Sequence, residues 1–498
     1  MMIPLDPAPL PPLSPAVKSR LAELAGQTQA IQKQIEALVG AEPVAPGRLQ
    51  IFHNYMGVFV VAFLVALIAT PIMRRIAIAN GIIDRPSVAR KIHRLPVAYL
   101  GGVAVYLGIV AGIFFAMMHP FHGWLQLHPS KGMTDLPLDA VVAVLLGMTV
   151  IMFCGLYDDV RGIDPRAKIA GQLFAAAALA TQSIGTKVAA GLLIPIAQSV
   201  GVGTTVVNNT TTIMFHIPLP GGASVPVDVV YWVGTAIIAM FVLGACNASN
   251  LIDGLDGLLS GVTAIAAIGL LVIALTLASR DDGPLDGLRI VICLALLGGC
   301  LGFLPHNFNP ANIFLGDAGS LMLGYVTILV VLTLGDTGKT HLVLAGVIIY
   351  AIPIIDTTLA IVRRKISGKK ISDADDQHLH HMLKRGLGVK GAVFALYGIG
   401  LGFAGLGIAL SMGKGRLTYA LTLVFAAFIG VISLKAARRA HHERQAEELA
   451  ASGKGKFERG AGSAPAVQPV STNGGTAGRT PEAGMEPASG VRPVESQA

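Results

Sequence analysis

Apolar runs of about 20 residues, each long enough to cross a hydrocarbon core roughly 30 Å thick, recur along most of this chain and leave it few ways to fold. Of its 498 residues 53% are hydrophobic and only 13% are charged, a balance that a water-facing chain of this length could not present. The fold class is therefore an all-α polytopic membrane protein. The runs place spanning helices near 55–73, 101–118, 139–156, 167–184, 229–246, 258–278, 288–304, 318–335, 342–362, 392–412 and 417–435, about eleven crossings. Two readings stand for 188–228: a short extracytoplasmic β-hairpin around the Val/Thr-rich part with Pro218 and Pro220, and a re-entrant apolar segment over Gly191 to Val202.

Three regions follow. Residues 1–54 form an extracytoplasmic amino-terminal segment, with an amphipathic surface helix, or a plain solvated one, expected from Ser14 to Val39; 55–435 form the membrane-embedded domain; 436–498 read as a disordered tail. Met1 to Pro15 is proline-rich and lacks the pattern of a cleavable signal peptide. The four cysteines, Cys154, Cys246, Cys293 and Cys300, fall in apolar runs and imply neither a metal site nor a disulfide framework.

Charge sets the orientation. The loops 74–100, 157–166, 247–257, 305–317 and 363–391 and the tail collect most of the lysines and arginines, among them Arg74, Arg75, Arg90, Lys91, Arg161, Arg363, Arg364 and Lys384. The opposite loops hold scattered cations such as Lys131, Lys187, Arg280 and Lys339. The positive-inside bias puts the first set in the cytoplasm, the amino terminus outside and the carboxyl terminus inside. The formal charge of +8 thus reports topology, and no nucleic acid is expected as a partner.

Five polar islands interrupt the apolar pattern, all on the cytoplasmic side. Asp158-Asp159 closes one helix, with Lys168 and Gln172 opening the next. Adjacent acids at a membrane boundary hold a cation or accept a proton, although an interfacial acid pair partnered by Arg161 is the plainer alternative. In the second island Asn247, Asn250, Asp253 and Asp256 recur at three-residue spacing, so a helix would project them from one face, with Gly254 and Gly257 between and after the acids. A glycine-rich turn explains the glycines but not four amides and acids in register. The third is Leu304 to Ser320, rich in amides: Asp317 lies at a helix start, where a hard oxygen ligand for Mg²⁺ and free amides for a phosphate coincide, and Asn307, Asn309 and Phe314 could meet a base or sugar. A plain N-cap aspartate is the alternative there. The fourth runs from Asp375 through His378, His380 and His381, preceded by Arg363 and Arg364; its spacing is not that of a structural zinc site and suits a diphosphate pocket better. The fifth, Asp84 to Pro96 with Arg90, Lys91 and His93, could simply meet anionic lipid.

In this order the islands resemble the polyprenyl-phosphate N-acetylhexosamine-1-phosphate transferase family, over about residues 55–435. The resemblance implies a bacterial plasma-membrane enzyme with a cytoplasmic active site, dependent on Mg²⁺ with Mn²⁺ as a substitute. Such an enzyme moves a sugar-1-phosphate from a UDP-N-acetylhexosamine to undecaprenyl phosphate, releases UMP and starts a cell-envelope polysaccharide; a homodimer is expected. It implies that Asp158 and Asp159 engage or deprotonate the lipid phosphate, with Lys168 beside them. Asn247, Asn250, Asp253 and Asp256 then lie near the nucleotide and diphosphate, Asn307 and Phe314 near uracil, and Asp317 on the metal. His378, His380, His381 and Arg364 hold phosphate, and Lys91 joins the substrate-binding set. His378-Leu379-His380-His381 is similar to the GlcNAc-type motif, whereas the muramoyl-pentapeptide type carries three consecutive histidines. Ala98, where many relatives have proline, and Asp376, where relatives often have a basic residue, depart from the pattern. The alternatives are the phospho-MurNAc-pentapeptide transferase reaction and, from another class, a cation-coupled transporter. The transporter reading expects acids near the bilayer midplane, whereas these lie at helix ends.

Overall fold

The computed structural model describes residues 47–84, 96–118, 138–207, 210–220, 224–280, 285–336, 338–366, 378–413, 415–416, 418–431 and 435, with 14–16, 19–20, 23–24 and 26–28 near the amino terminus. Lys91, the rest of the basic loop from Arg85 to Leu95, Asp375, Asp376 and the tail expected to be disordered lie outside the described residues.

With no water available inside a bilayer, a backbone that satisfies its own hydrogen bonds as helix is the economical solution for these runs. Helices occupy Arg48–Ala79 (α1), Gly101–Met117 (α2), Leu138–Arg161 (α3), Pro165–Thr181 (α4), Val188–Ser199 (α5), Val229–Ile252 (α6), Leu258–Ala278 (α7), Asp286–Asn307 (α8), Gly316–Thr333 (α9), Thr340–Ile349 (α10), Ala351–Ile366 (α11), Leu379–Ser411 (α12) and Thr418–Val431 (α13). Among the described residues seven helices are long and apolar enough to cross a membrane, or eight when the α10–α11 pair counts as one span. The count of about eleven crossings is not reached by length and composition: α2 and α4 have 17 residues each, and α13 is also short.

Two breaks shape the carboxyl-terminal half. The α10–α11 pair bends by 77° at Tyr350, and Pro353 sits in the first turn of α11, where no intrahelical N–H is required. Inside α12, Gly388 adopts φ 71°, a left-handed conformation that ends one helix and starts another. The short first piece carries His380 and His381.

Small residues let the central helices close in. Ala62 and Ala66 of α1 lie between two glycine pairs, Gly108 and Gly112 of α2 and Gly298 and Gly302 of α8. A Cβ at Gly302 would stand 2.4 Å from the Phe63 carbonyl oxygen, so side chains there would force the helices apart. Helices α7, α8 and α9 form the interior, with 83%, 83% and 89% of their most apolar windows buried, against 28% for α1. The bare outer stripe of α1, with Leu64, Ile68, Ile72 and Ile76 exposed, has the chemistry of a lipid-facing surface.

Among the described residues, strands form three two-stranded pairs. Ile83–Asp84 (β1) pairs antiparallel with Val97–Ala98 (β2), and Thr205–Val207 (β3) with Thr210–Thr212 (β4). Met214–Pro218 (β5) pairs with Ser224–Asp228 (β6) from Met214↔Asp228 to Pro218↔Ser224, which is the hairpin read from the sequence, while Val188–Ser199 is helix. The hairpin feeds directly into α6, whose 24 residues rise about 36 Å and carry Asn247 and Asn250 near the other end. The hairpin and the polar islands therefore occupy opposite ends of the bundle.

Candidate functional site

Helix ends bring the islands together. Asp158 and Asp159 close α3, Lys168 lies in the first turn of α4, Asn250 in the last turn of α6 and Asp317 in the first turn of α9. Lys168 Nζ donates to Asp158 Oδ2 at 2.8 Å and to Asp317 Oδ2 at 2.5 Å. Asn250 Nδ2 donates to Asp317 Oδ1 at 2.8 Å and to Ser320 Oγ at 3.0 Å. Four residues separated by up to 159 positions thus share one hydrogen-bonded network around Asp317.

The two adjacent acids differ. Asp159 accepts from the Asp317 and Ala318 amides, at 2.8 and 3.0 Å, and so caps α9 from another helix. Those are amides that the sequence reading held free for a phosphate. Asp158 accepts from the Ile163 amide at 2.9 Å and shares its other oxygen with Lys168.

Asp253 follows α6, half-buried, and burial first, then the Asp317, Asp159 and Asp256 carboxylates, push its carboxyl up to about 8. Burial and the carboxylates of Asp84, Asp159 and Asp317 likewise push up the Tyr99 phenol, a neighbour the sequence reading passed over. Among the described residues one lysine is hydrogen-bonded to these acids, and carboxylate oxygens are the kind of ligand a magnesium ion takes.

The third island, Leu304 to Ser320, is held by braces. Asn307 Oδ1 accepts from the Gly257 amide and from Ser260 Oγ, both at 3.1 Å, and its Nδ2 donates to the Ile313 carbonyl at 3.1 Å. The side chain read as a uracil contact is therefore buried in a brace between two loops. Asp256 accepts from Asn309 Nδ2 at 2.9 Å and the Ala311 amide at 3.0 Å. Phe314 joins the edge of β2: its amide donates to the Ala98 carbonyl, its carbonyl accepts from Gly101, and its ring lies 6.1 Å from that of Tyr99. Asn247 Nδ2 donates to Gln172 Oε1 at 3.0 Å, farther along α6.

The histidines gather on a residue that the sequence reading missed. Asp356, fully buried in α11, accepts from the Leu379 amide at 2.7 Å and meets His378 Nδ1 at 3.1 Å and His380 Nδ1 at 3.4 Å. The His381 ring lies tilted against that of His380, ring centres 4.3 Å apart. His380 Nε2 faces the acid loop, standing 2.4 Å from where a Cβ on Gly254 would be. Arg364 lies on the same helix as Asp356, in its last turn. A lone carboxylate in an apolar run was the available signal, because such a group needs a partner.

The comparisons with known proteins follow the same residues. Residues 141–335, which carry Asp158 through Asp317, match the model of glycosyl transferase family 4. A Bacillus subtilis protein described as a probable undecaprenyl-phosphate N-acetylglucosaminyl 1-phosphate transferase is 31% identical over 75% of this chain and 90% of its own length. The decaprenyl-phosphate N-acetylglucosaminephosphotransferase of Mycobacterium tuberculosis is 32% identical over 70% of this chain and 81% of its own. A phospho-N-acetylmuramoyl-pentapeptide-transferase of Desulforudis audaxviator is 29% identical over 71% and 97%. Covering most of the length of two such relatives at 31% and 32% identity, the chain belongs to glycosyl transferase family 4, as a membrane-embedded transferase.

Proposed function

We propose that this transferase moves GlcNAc-1-phosphate, or a related N-acetylhexosamine-1-phosphate, from its UDP-sugar to undecaprenyl phosphate and releases UMP. The observation that carries the reading is the joining of Asp158, Lys168, Asn250 and Asp317 at one end of the bundle. The names of the relatives at 31% and 32% identity favour the N-acetylglucosamine form over the muramoyl-pentapeptide form, named on relatives at 29% and 30%.

An oxygen of the lipid phosphate attacks the β-phosphorus of the UDP-sugar, the one bonded to the sugar. The bond from that phosphorus to the bridging oxygen breaks, and the bridging oxygen leaves with UMP. Phosphoryl transfer asks the protein chiefly for positioning and charge stabilisation. Asp158 keeps the oxygen it shares with Lys168 at the mouth of the network, so it takes any proton the lipid phosphate carries, while Asp159 holds the start of α9 in place. Asp317, with Asp253 beside it, would hold Mg²⁺, which when bound neutralises phosphate charge and polarises the reacting phosphorus. The cytoplasmic orientation of this end rests on the loop charges.

The decisive assay is UMP release by purified protein from UDP-GlcNAc, run with and without undecaprenyl phosphate and Mg²⁺. Release that needs both is the expected result. No UMP from UDP-GlcNAc or any other UDP-N-acetylhexosamine, UDP-MurNAc-pentapeptide included, overturns the proposal. A preference for the pentapeptide donor would reassign the sugar and keep the reaction.

A further inference from the structure

We infer that Asp356 is the positioning residue of the histidine motif, holding the Nδ1 edges of His378 and His380 so that His380 Nε2 faces the acid loop at Gly254. The inference rests on the proposed transfer reaction for its readout and on the geometry for its content. Asp356 is 0% exposed, His380 1% and His378 6%, so water does not satisfy these groups. A carboxylate only accepts, and Asp356 divides its acceptors: Oδ1 takes the Leu379 amide, Oδ2 meets both imidazoles, at 3.1 and 3.4 Å. Facing the carboxylate it is bonded to, His378 Nδ1 carries its hydrogen, while His380 Nδ1 stands 3.4 Å from the same oxygen without a hydrogen bond and its ring turns Nε2 toward Gly254.

The surroundings show where that nitrogen points. Gly254 lies between Asp253 and Asp256, and His380 Nε2 occupies the space its missing Cβ would need. The absence of a side chain at 254 is therefore part of the device. The 77° bend at Tyr350 sets the direction of α11, which carries Asp356, and the left-handed Gly388 separates the short piece bearing His380 from the rest of α12. The backbone bond from Leu379 ties the histidine segment to the same carboxylate. Asp356, His378 and His380 are also spaced closely enough to hold a metal ion, and the test must separate that state from a hydrogen-bonded one.

Asp356→Asn keeps an oxygen for the Leu379 amide but turns an NH₂ toward the imidazoles, which reverses the tautomer they can present. The expected result is a fall of roughly 10- to 100-fold in kcat for UMP release, the size seen when an orienting partner of a working histidine is lost, with KM for UDP-GlcNAc little changed. His380→Asn supplies its own donor in place of Nδ1, removes Nε2 and should lose kcat to a similar extent. The double variant should lose no more than either single one, because both remove the same function. If Asp356→Asn does not accumulate in the membrane, His380→Asn alone decides: full activity overturns the inference. Losses that multiply in the double variant, or a rise in KM with kcat intact, overturn it as well. So does one equivalent of zinc per chain that disappears in Asp356→Asn, which would make the cluster a metal site. An inactive wild-type protein in the same assay would instead sink the proposed reaction, so the two failures are distinguishable.

Discussion

Two carboxylate-centred clusters stand at the same end of this bundle and are built on opposite principles. Around Asp317 the side chains are partly wet, with Lys168 and Asp158 each 22% exposed and Asp317 26%, and several acids press on one lysine. Around Asp356 the groups are dry: one carboxylate accepts from the Leu379 amide, pairs with His378 Nδ1 and stands 3.4 Å from His380 Nδ1. A crowded, half-exposed acid cluster suits a ligand or a metal that brings positive charge. A buried acid with its donors in place needs nothing further and fixes geometry instead. On the proposed function, the difference separates groups that meet substrates from groups that aim other groups.

The strongest way to break that contrast is Asp317→Asn. If Asp317 is the centre of the charge-deficient cluster, the variant should insert normally yet lose about 10²- to 10³-fold in Mg²⁺-dependent UMP release, the range for removing one preorganised electrostatic contact. Activity within a few-fold of wild type, at any Mg²⁺ concentration, would leave the wet cluster without its proposed centre.

Much of the wet cluster was legible in the sequence, because charged and amide residues stand out against apolar runs and mark helix ends. Asp158, Lys168, Asn250 and Asp317 were all singled out, and the structure joins them. The helical class was equally plain, since lipid leaves a backbone few choices. Asp356 escaped because one acid in an apolar run changes a hydropathy average little, while its partners lie 22 to 24 positions away. The capping of α9 by Asp159 and the brace made by Asn307 depend on contacts between distant segments that no local pattern reports. About eleven crossings are not confirmed by length and composition, because α2, α4 and α13 are short for a full span while an averaged profile reads each as one.

Asn307 sharpens the division between meeting and aiming, because its two readings predict different losses. As a brace, Asn307→Ala strips the buried Gly257 amide and Ser260 hydroxyl of their acceptor and should destabilise the detergent-solubilised protein by about 1–3 kcal/mol with no nucleotide present. As a uracil contact it should leave the melting temperature alone and raise KM for the UDP-sugar. A thermal melt in the absence of ligand separates the two. The adjacent acids give a smaller version of the same test. Asp159→Ala removes a cap from the start of α9 and should cost about 0.5–2 kcal/mol, the range for lost helix caps. Asp158→Ala should change stability less, its partner Lys168 being partly exposed, while impairing turnover. Equal melting temperatures would erase the distinction drawn between them.

The smallest effect concerns the charge deficit itself. The Asp253 carboxyl is pushed up to about 8, by burial first and then by Asp317, Asp159 and Asp256. In the unfolded chain the same group ionises in the ordinary carboxylate range. As pH rises from that range toward about 8, the unfolded state has given up a proton that the folded state keeps, so this group's contribution to stability declines across the window and levels off above it. In EDTA, melting temperatures recorded from about pH 5 to about pH 8 should therefore fall more steeply for the wild type than for Asp253→Asn, which carries no titrating group at that position. Added Mg²⁺ should flatten the wild-type slope, because a cation among the acids removes the reason for holding the proton. If wild type and variant keep parallel slopes with and without Mg²⁺, Asp253 does not share the charge deficit, and the wet cluster contracts to Asp158, Asp159 and Asp317 around Lys168.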